Sequence, residues 1–453
     1  MQIYIIFFEK QNKEFKNMVF TDGNEIYLLS LFAIKPTTNQ TTTMRITTIL
    51  LCLLTISCTP KDKVGEPYRG WKKGELDIHH IYTGRGEANF YIFPDATTML
   101  VDAGDHQATV PMTDPKPDLS RRGGEWVARY IERVNPNPKE VDYFMLSHFH
   151  DDHMGSAELD VPTTEGRGED YKLVGVADVG EHIRFKCFFD RGYPDYNYPT
   201  EVVRDIHTDN FLKFTDYQKR EFGATQEQFK VGAVNQIAMQ HDAQRYSDLF
   251  SIRNLAANGE VWNHDGTTTR YYGLHPDNIT NRGNENTKSL AFRIDYGDFS
   301  YYAGGDVSGH LKNNEGERVN IEAKVGEACG EVDACKCNHH AYLDAMHPDF
   351  LRHTKAKAYI DAVWDQYHTQ PQIIERILSN DIFEGKRMFY TQYIVEKARR
   401  EHADKEWMKG VCPHDGHIVI KTYDKGRKFK IYRLSAEDEQ MIVQAISGPF
   451  DAK

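Results

Sequence analysis

The sequence of 453 residues has few cysteines and few prolines, and it carries no excess of positive charge. With 7 cysteines and 17 prolines, it is neither a small disulfide scaffold nor a collagen-like fibre. The apolar run at residues 46–56 is far shorter than the ~20 residues that a membrane-spanning helix needs. Lysine and arginine total 55 against 67 acidic residues, for a net charge of -12, so nucleic acid is not expected as a partner.

The composition that remains is typical of a globular protein, with 40% hydrophobic and 27% charged residues. At roughly 100 to 200 residues per domain, the length allows two to four domains or one elaborated α/β enzyme. Five cysteines follow Cys58, and three of them could form a disulfide in an oxidising compartment: Cys329, Cys335 and Cys337.

An export signal is predicted at residues 44–58, where the sequence reads MRITTILLCLLTISC. A single arginine precedes the apolar run, and the small Ser57 stands directly before Cys58. The segment resembles bacterial lipoprotein signals, which implies that Cys58 is the lipidated N-terminus. The protein would then be an exported, membrane-anchored lipoprotein on the periplasmic or cell-surface side. A plain secreted protein cleaved nearby, or a short buried helix, are the alternatives.

This signal divides the chain into segments. Because export signals stand at N-termini, residues 1–43 are interpreted as a non-native or mis-started extension. The polar residues 59–74 are typical of a linker. One folded domain is predicted over residues 75–450, with an insert at about 186–280.

Apolar periodicity predicts an α/β order of elements before the first histidine-rich loop. Residues 76–105 give three short strands broken by glycines and a Pro-Asp turn, which predicts an antiparallel meander. Apolar residues then recur at helical spacing from Trp126 to Val134, and a buried strand follows at residues 141–147. The polar sequence SHFHDDHMG ends this strand, so its histidines are expected at the carboxyl edge of a sheet, where open α/β folds build sites.

Four residues of this loop offer three imidazoles and one carboxylate to a metal: His148, His150, Asp152 and His153. Such groups need compensating partners when they leave water together, and metal ions supply them. In a turn, His148 and His150 can face one cation while Asp152 and His153 face a second, as in two-metal hydrolytic sites. A solvated polar loop is the alternative interpretation.

These four residues match the His-x-His-x-Asp-His motif of the metallo-β-lactamase fold, and the chain is similar to that hydrolase superfamily. The resemblance implies an α/β fold, an αββα sandwich of two mixed sheets with helices outside. The preceding TMLVDAGD resembles the family's strand before the motif, which implies that Asp102 supports the site. The chain looks most like the branch with the DNA-uptake competence protein's metallo-hydrolase domain and the phosphorylcholine esterases. Glu87 stands where that branch usually has Asp.

Two later segments resemble the same branch. LAFRIDYGDFSYYAGGDVSG implies that Asp306 is a metal-bridging carboxylate. ACKCNHHAYLDAM implies a ligand in the pair His339 and His340, of which His340 is favoured, although Ala341 replaces the family's Gly and leaves the choice open. His310 is expected near the metals. No clear third histidine lies between the motif and Asp306, and exposed or core roles are favoured for the candidates: His182, His207, His241, His264 and His275.

The resemblance thus implies two zinc ions, with manganese or iron as further options, held by His148, His150, Asp152, His153, Asp306 and His340. Such ions lower the pKa of a bound water from about 16 to about 7, so that hydroxide is the nucleophile, and Asp152 is the predicted catalytic residue that orients it. The predicted function is hydrolysis of a phosphoester or related ester in a small-molecule or polymer-linked substrate. A β-lactamase or lactonase is one alternative, and a non-catalytic surface or binding lipoprotein is another. No protein partner is inferred.

The predicted insert is rich in tyrosine, at Tyr193, Tyr196 and Tyr198. These rings could form an aromatic cage for a sugar or a quaternary ammonium group, or they could pack the insert onto the sheet. Arg191 and Tyr193 are the candidates there for substrate contact, but the sequence does not identify the substrate-binding residues.

Overall fold

The computed structural model describes residues 62–106, 113–273, 285–413 and 415–453, and the backbone of three strands near the start of the chain. Those strands form an antiparallel sheet: β1 (Gln2–Lys10), β2 (Lys13–Asp22) and β3 (Glu25–Phe32). They belong to a unit, Met1–Asp62, that is separate from the unit Lys63–Lys453. The predicted signal at residues 44–58, including Cys58, lies outside the described residues, as does the first part of the predicted linker.

The other strands and helices that the structure describes belong to the unit Lys63–Lys453. Its first strands are β4 (Asp77–Tyr82), β5 (Glu87–Ile92), β6 (Thr98–Ala103), β7 (Glu140–Met145), β8 (Arg184–Asp190), β9 (Thr225–Gln228), β10 (Phe250–Ala257), β11 (Glu260–Trp262), β12 (Thr268–Arg270) and β13 (Ala291–Tyr296). They are followed by β14 (Phe299–Ala303), β15 (His310–Lys312), β16 (Arg318–Asn320), β17 (Ala334–Lys336), β18 (Ala358–Asp361), β19 (Met388–Thr391), β20 (Val411–Pro413), β21 (Gly416–Tyr423), β22 (Lys428–Ser435) and β23 (Val443–Asp451).

The described α-helices are α1 (Gly123–Val134), α2 (Asp151–Met154), α3 (Gly175–Val179), α4 (Ile206–Phe222), α5 (Ala243–Tyr246), α6 (Ile321–Cys329), α7 (Pro348–Thr354), α8 (Pro371–Leu378) and α9 (Glu396–Glu401). Short 3-10 turns occur at Asn286–Lys288, Asn338–Ala341 and Glu406–Gly410. Among the residues that the structure describes, no helix is both long enough and apolar enough to cross a bilayer.

Two nine-stranded mixed sheets dominate this unit. The first has the strand order β23-β22-β21-β4-β5-β6-β7-β8-β9, and the second has the order β12-β11-β10-β13-β14-β17-β18-β19-β20. The predicted meander is confirmed, because β4, β5 and β6 pair antiparallel, and β7 then joins β6 in parallel. Strands of the segment predicted as an insert extend both sheets, since β8 and β9 continue the first and β10 to β12 continue the second.

Three hydrophobic clusters lie between the layers of the unit and pack them together. Tyr91 of the first sheet and Phe292 of the second share the central cluster, with ring centroids 5.9 Å apart, so the sheets pack face to face. A second cluster packs Val127 of α1 against the outer face of the first sheet, and a third packs Phe350 of α7 against the outer face of the second. Helix, sheet, sheet and helix follow one another, which confirms the predicted αββα sandwich.

The local sequence explains where the longest helix begins and ends. Asp205 caps α4 by accepting hydrogen bonds from the backbone N–H groups of His207 and Thr208. Gly223 ends the helix with a φ of 70°, in the left-handed region that favours glycine. The hairpin of β21 and β22 turns at residues 424–426, and all three of these residues have positive φ.

The disulfide that the sequence allows does not form among the described cysteines. Cys187, Cys329, Cys335, Cys337 and Cys412 are all free and buried. Cys329, Cys335 and Cys337 lie in the cluster between the second sheet and its helices, where they pack as small apolar side chains.

Candidate metal centre

The order of the strands brings three polar loops to one edge of the sandwich. The histidine-rich loop at residues 147–154 follows β7, and the loop with Asp306 follows β14. His340 follows β17, which lies parallel to β14, so Asp306 and His340 leave the same edge of the second sheet. Because the central core holds the two sheets together, the ends of strands from both sheets meet there.

Asp102, at the end of β6, fixes the histidine-rich loop. Its Oδ1 accepts a hydrogen bond from the backbone N–H of Ser147 at 2.7 Å, and its Oδ2 accepts from the Ser147 hydroxyl at 2.7 Å. Oδ2 also lies 2.8 Å from Nδ1 of His153. A carboxylate at Nδ1 holds the proton there and leaves Nε2 free to bind a metal. The supporting role that the family resemblance implies for Asp102 agrees with these contacts.

Asp306 lies at the centre of the site. Its Oδ2 is 3.2 Å from Nε2 of His153, 3.4 Å from Nε2 of His340 and 3.9 Å from Nε2 of His148. Asp152 contacts the same group, with Oδ2 3.5 Å from Nε2 of His153 and 3.3 Å from Nε2 of His340. Carboxylates and imidazoles from three distant parts of the chain therefore converge on one buried volume.

His150 extends this arrangement on the side of His148. Its Nδ1 lies 2.9 Å from Nε2 of His148, and the two rings meet edge to face. Nδ1 of His148 lies 3.0 Å from the Ser147 hydroxyl, whose proton goes to Asp102. His148 therefore carries its own proton on Nδ1, and its Nε2 faces the centre of the site. All six residues predicted as metal ligands are thus brought together.

The electrostatics of the site require positive charge. Burial opposes ionisation of Asp306 and Asp152, but His340 and His153 outweigh it and hold the pKa of both carboxyls well below its ordinary value. Burial likewise disfavours a charged His153, yet the carboxylates raise its pKa well above the ordinary value. Burial also lowers the pKa of His340, but Asp306 outweighs this effect and raises the pKa to about 10. His148 behaves differently, since burial and the adjacent His153 lower its pKa.

These residues fit a divalent metal ion. Oδ1 of Asp306 is buried and has no hydrogen-bond partner among the described residues. Glu87, His153, Asp306 and His340 each offer one ligand atom, and these atoms lie within 4.8 Å of one another. Imidazole nitrogens with carboxylate oxygens are a donor set that zinc, manganese and iron accept. A bound cation would take the place of the protons that the two carboxylates otherwise hold on His153 and His340.

The structure turns His340, and not His339, towards Asp152 and Asp306. Nδ1 of His339 instead bonds Oδ1 of Asp344 at 2.7 Å, and its Nε2 meets the Asn286 side chain. The two histidines diverge because both have left-handed backbone, with φ of 42° and 48°.

The candidates for a third histidine contact other parts of the protein. His207 accepts the N–H of Ala157, and His241 and His264 bond Asp142 and the carbonyl of Glu327. His182 lies beside Asp178, and His275 lies outside the described residues. His310 is exposed and pairs with Arg318 on the two-stranded sheet of β15 and β16, and none of its described contacts is with the cluster.

Three residues beside the cluster were not predicted from the sequence. Glu87 contributes a buried carboxylate, and only its place after Gly-Arg-Gly, where the family has Asp, could have indicated it. His368 stacks on His340 with ring centroids 4.4 Å apart, and Trp364 places its indole N–H 3.4 Å from Nε2 of His340. No spacing relates these last two residues to the motif, because they lie in the loop after β18.

The contacts of the tyrosine-rich segment favour packing over an aromatic cage. The Tyr196 hydroxyl donates to Asp190 and accepts from Gln226, which ties the loop to the first sheet. Arg191 is buried in a pair with Glu285, and Glu285 also accepts the backbone N–H of Phe149, between the first two histidines of the motif. The charge of Arg191 is therefore used to hold the loop in place.

Comparison with known families agrees with this geometry. Residues 83–159 match the model of the metallo-beta-lactamase superfamily, and this range contains Glu87, Asp102 and the histidine-rich loop. A search of curated proteins gives no match to the chain. The match covers the first part of the sandwich, and it agrees with the fold and with the buried cluster of His, Asp and Glu side chains; members of that superfamily are generally hydrolases.

Proposed function

We propose that this protein is a metal-dependent hydrolase that holds two zinc ions and cleaves a phosphoester or a related ester bond. The observation that carries the proposal is the position of Asp306, whose Oδ2 lies within 4 Å of Nε2 of His148, His153 and His340. A carboxylate placed between imidazoles on two sides is suited to bridging two cations. His148 and His150 would hold one ion with Asp306, and Asp152, His153 and His340 would hold the other.

The chemistry divides between the ions and the chain. Bound cations would supply Lewis-acid polarisation of the substrate and lower the pKa of a water molecule. Asp152 would orient that water, because its Oδ2 faces the centre of the cluster. Asp102 keeps His153 in the tautomer that presents Nε2. The burial of His148, His153 and Asp306 excludes bulk water, which strengthens every charge interaction there.

The first test is metal analysis of the purified full chain together with a substrate panel. We expect about two zinc ions per chain and turnover of a chromogenic phosphodiester or a phosphorylcholine ester, and little turnover of a β-lactam or a lactone. His148→Ala and Asp306→Asn should lower kcat at least 100-fold, since each removes a ligand. The matched control is His264→Ala, which removes an exposed histidine that contacts the carbonyl of Glu327 on α6.

Three outcomes would contradict the proposal, each in a different way. Absence of bound metal under metal-replete conditions would favour a non-catalytic binding protein on the same scaffold. Turnover confined to the β-lactam or the lactone would show that the protein is a β-lactamase or a lactonase and that the proposed substrate class is wrong. Unchanged turnover in His148→Ala would show that the chemistry takes place elsewhere.

We also propose that the protein is exported and anchored to a membrane through a lipid on Cys58. The support is the sequence of residues 44–58, in which one arginine, an apolar run and a small residue precede the cysteine. Metabolic labelling with a fatty-acid analogue should mark the wild type and leave Cys58→Ser unlabelled. Equal labelling of both proteins, or none of either, would contradict the anchor.

A further inference from the structure

We propose that the buried ion pair of Glu87 and Lys336 positions His340 relative to Asp306 in the metal centre. The inference rests on the proposed metal-dependent function, because it assigns a role to residues that support the site. Neither residue is taken to touch substrate.

Lys336 joins three separate parts of the fold through one ammonium group. It ends β17, and only 2% of its surface is exposed. Its Nζ contacts Oε1 of Glu87 at 3.0 Å, the carbonyl of Gly305 at 2.9 Å and the carbonyl of Cys337 at 3.1 Å. These three acceptors use all three protons of the ammonium group. Gly305 directly precedes Asp306, so Lys336 links β5, β17 and the loop that carries the central carboxylate.

Glu87 connects the same ammonium group to His340. Its Oε1 accepts hydrogen bonds from Lys336 and from the Asn89 side chain at 2.7 Å. Its Oε2 is buried without a hydrogen-bond partner among the described residues, and it lies 3.4 Å from Nδ1 of His340. The carbonyl of Ala362 lies 2.9 Å from the same nitrogen. Two acceptors therefore face Nδ1, which places the proton of a neutral His340 there.

The two nitrogens of His340 separate the role of Glu87 from that of a ligand. Nε2 faces Asp152 and Asp306 at 3.3 and 3.4 Å, whereas Nδ1 faces Glu87. Because one imidazole binds a given ion through one nitrogen, an ion on Nε2 of His340 would leave Nδ1 to Glu87. Asp102 stands in the same relation to Nδ1 of His153. The two histidines thus come from different sheets, but the first sheet supplies the carboxylate at Nδ1 of each, Asp102 for His153 and Glu87 for His340.

An ion pair buried this deeply has a consequence for mutants. Removing one partner leaves an uncompensated charge in the core, while removing both leaves an apolar and polar pair of similar volume. Lys336→Met is therefore expected to be less stable than the double variant Lys336→Met/Glu87→Gln. The double variant separates the effect on the metal from the effect on folding.

The test compares Glu87→Gln, Lys336→Met and the double variant in the full chain. Zinc affinity is measured by competition with a chromophoric chelator, and the cobalt-substituted proteins are compared by their visible absorption. We expect zinc affinity to fall 10- to 100-fold in each variant, with a double variant no weaker than the weaker single variant, because the two residues act as a unit. The cobalt bands should shift in wavelength. Their intensity should stay that of the wild type, because the coordination number does not change.

The control is Lys421→Met, which removes another buried lysine, paired with Glu75 and Asp77 in the first sheet. It should leave zinc affinity and the cobalt bands unchanged. A folded double variant with the zinc affinity and cobalt bands of the wild type would overturn the positioning role. If the Lys336 variants do not fold, the same result in Glu87→Gln would overturn it. Loss of a coordination position in Glu87→Gln would make Glu87 a ligand and also overturn it. If the wild type binds no zinc, the proposed function itself fails.

Discussion

At the scale of single residues, the backbone of Gly104 packs directly against the backbone of the histidine-rich loop. A Cβ atom at this position would lie 1.6 Å from the carbonyl oxygen of Asp152 and 2.1 Å from its carbonyl carbon. No side chain fits there, because both neighbouring atoms belong to the backbone and cannot rotate away. The glycine therefore determines how near the strand that carries Asp102 can come to the histidine-rich loop.

Gly104→Ala is expected to displace this loop. Overpacking of this kind costs about 1–3 kcal/mol of unfolding free energy, and a displaced Asp152 should weaken zinc binding at least 10-fold. Chelator competition and urea unfolding measure the two effects. Gly316→Ala is the control, since its φ is +82° but no atom lies within 4 Å of the added methyl group, so it should cost about 1 kcal/mol and leave zinc affinity unchanged. Wild-type zinc affinity in Gly104→Ala would contradict the importance of this contact.

At the scale of elements, the turn after β17 presents His340 through an unfavourable backbone. His339, His340 and Ala341 have φ of 42°, 48° and 51°, and each left-handed residue costs about 1–2 kcal/mol. Glu322 on α6 offsets this cost by accepting hydrogen bonds from the Asn338 side chain at 2.9 Å and from the backbone of the following loop. The helix thus holds the turn in the conformation that aims His340 at Asp306.

Glu322 should also make stability depend on pH. Burial raises its pKa from 4.5 to about 7, while Asn338 and two backbone N–H groups oppose the rise. The folded protein then keeps a proton that the unfolded chain loses, so this stabilisation is complete below pH 4.5 and is lost as the pH rises through 7. The difference is on the order of 3 kcal/mol. Glu322→Gln should make the free energy of unfolding less dependent on pH between pH 5 and 8.

Denaturant unfolding at several pH values measures this slope. The control is Glu327→Gln, an exposed residue on the same helix, which should keep the slope of the wild type. An identical slope in Glu322→Gln and the wild type would show that Glu322 is ionised throughout this range.

At the scale of the whole molecule, the site joins the two sheets. His148, Asp152 and His153 leave the first sheet, and Asp306 and His340 leave the second, so a bound cation would link elements that otherwise meet through the apolar core. Free energy of metal binding then becomes free energy of folding.

Removing metal is therefore expected to lower the melting temperature by several degrees. A ligand present at 1,000 times its Kd stabilises the folded state by about 4 kcal/mol. Scanning calorimetry of chelator-treated protein, before and after zinc is restored, measures the shift. Asp306→Asn should melt at the same temperature with and without zinc. Coincident melting of the wild type in both states would contradict a metal link between the sheets.

Local sequence was sufficient for the parts of the fold and site that depend on neighbouring residues. The meander of β4 to β6 and helix α1 follow from periodicity and turn residues, and both are confirmed. The resemblance at residues 148–153 led to the sandwich and to Asp306 and His340, and the structure places both beside the motif. It did not reveal Glu87, Lys336 or His368, because their roles depend on contacts between distant strands.

The amino-acid sequence by itself determined the identity of the candidate ligating groups and the strand after which each stands, since side-chain chemistry and periodicity are local properties. Only the tertiary structure decided between His339 and His340, because a turn with left-handed backbone sends the two rings in different directions. It also decided that Glu87 and Lys336 form an ion pair beside the site and that the described cysteines stay unpaired. These outcomes depend on how β5, β14 and β17 pack across two sheets, which no spacing along the chain encodes.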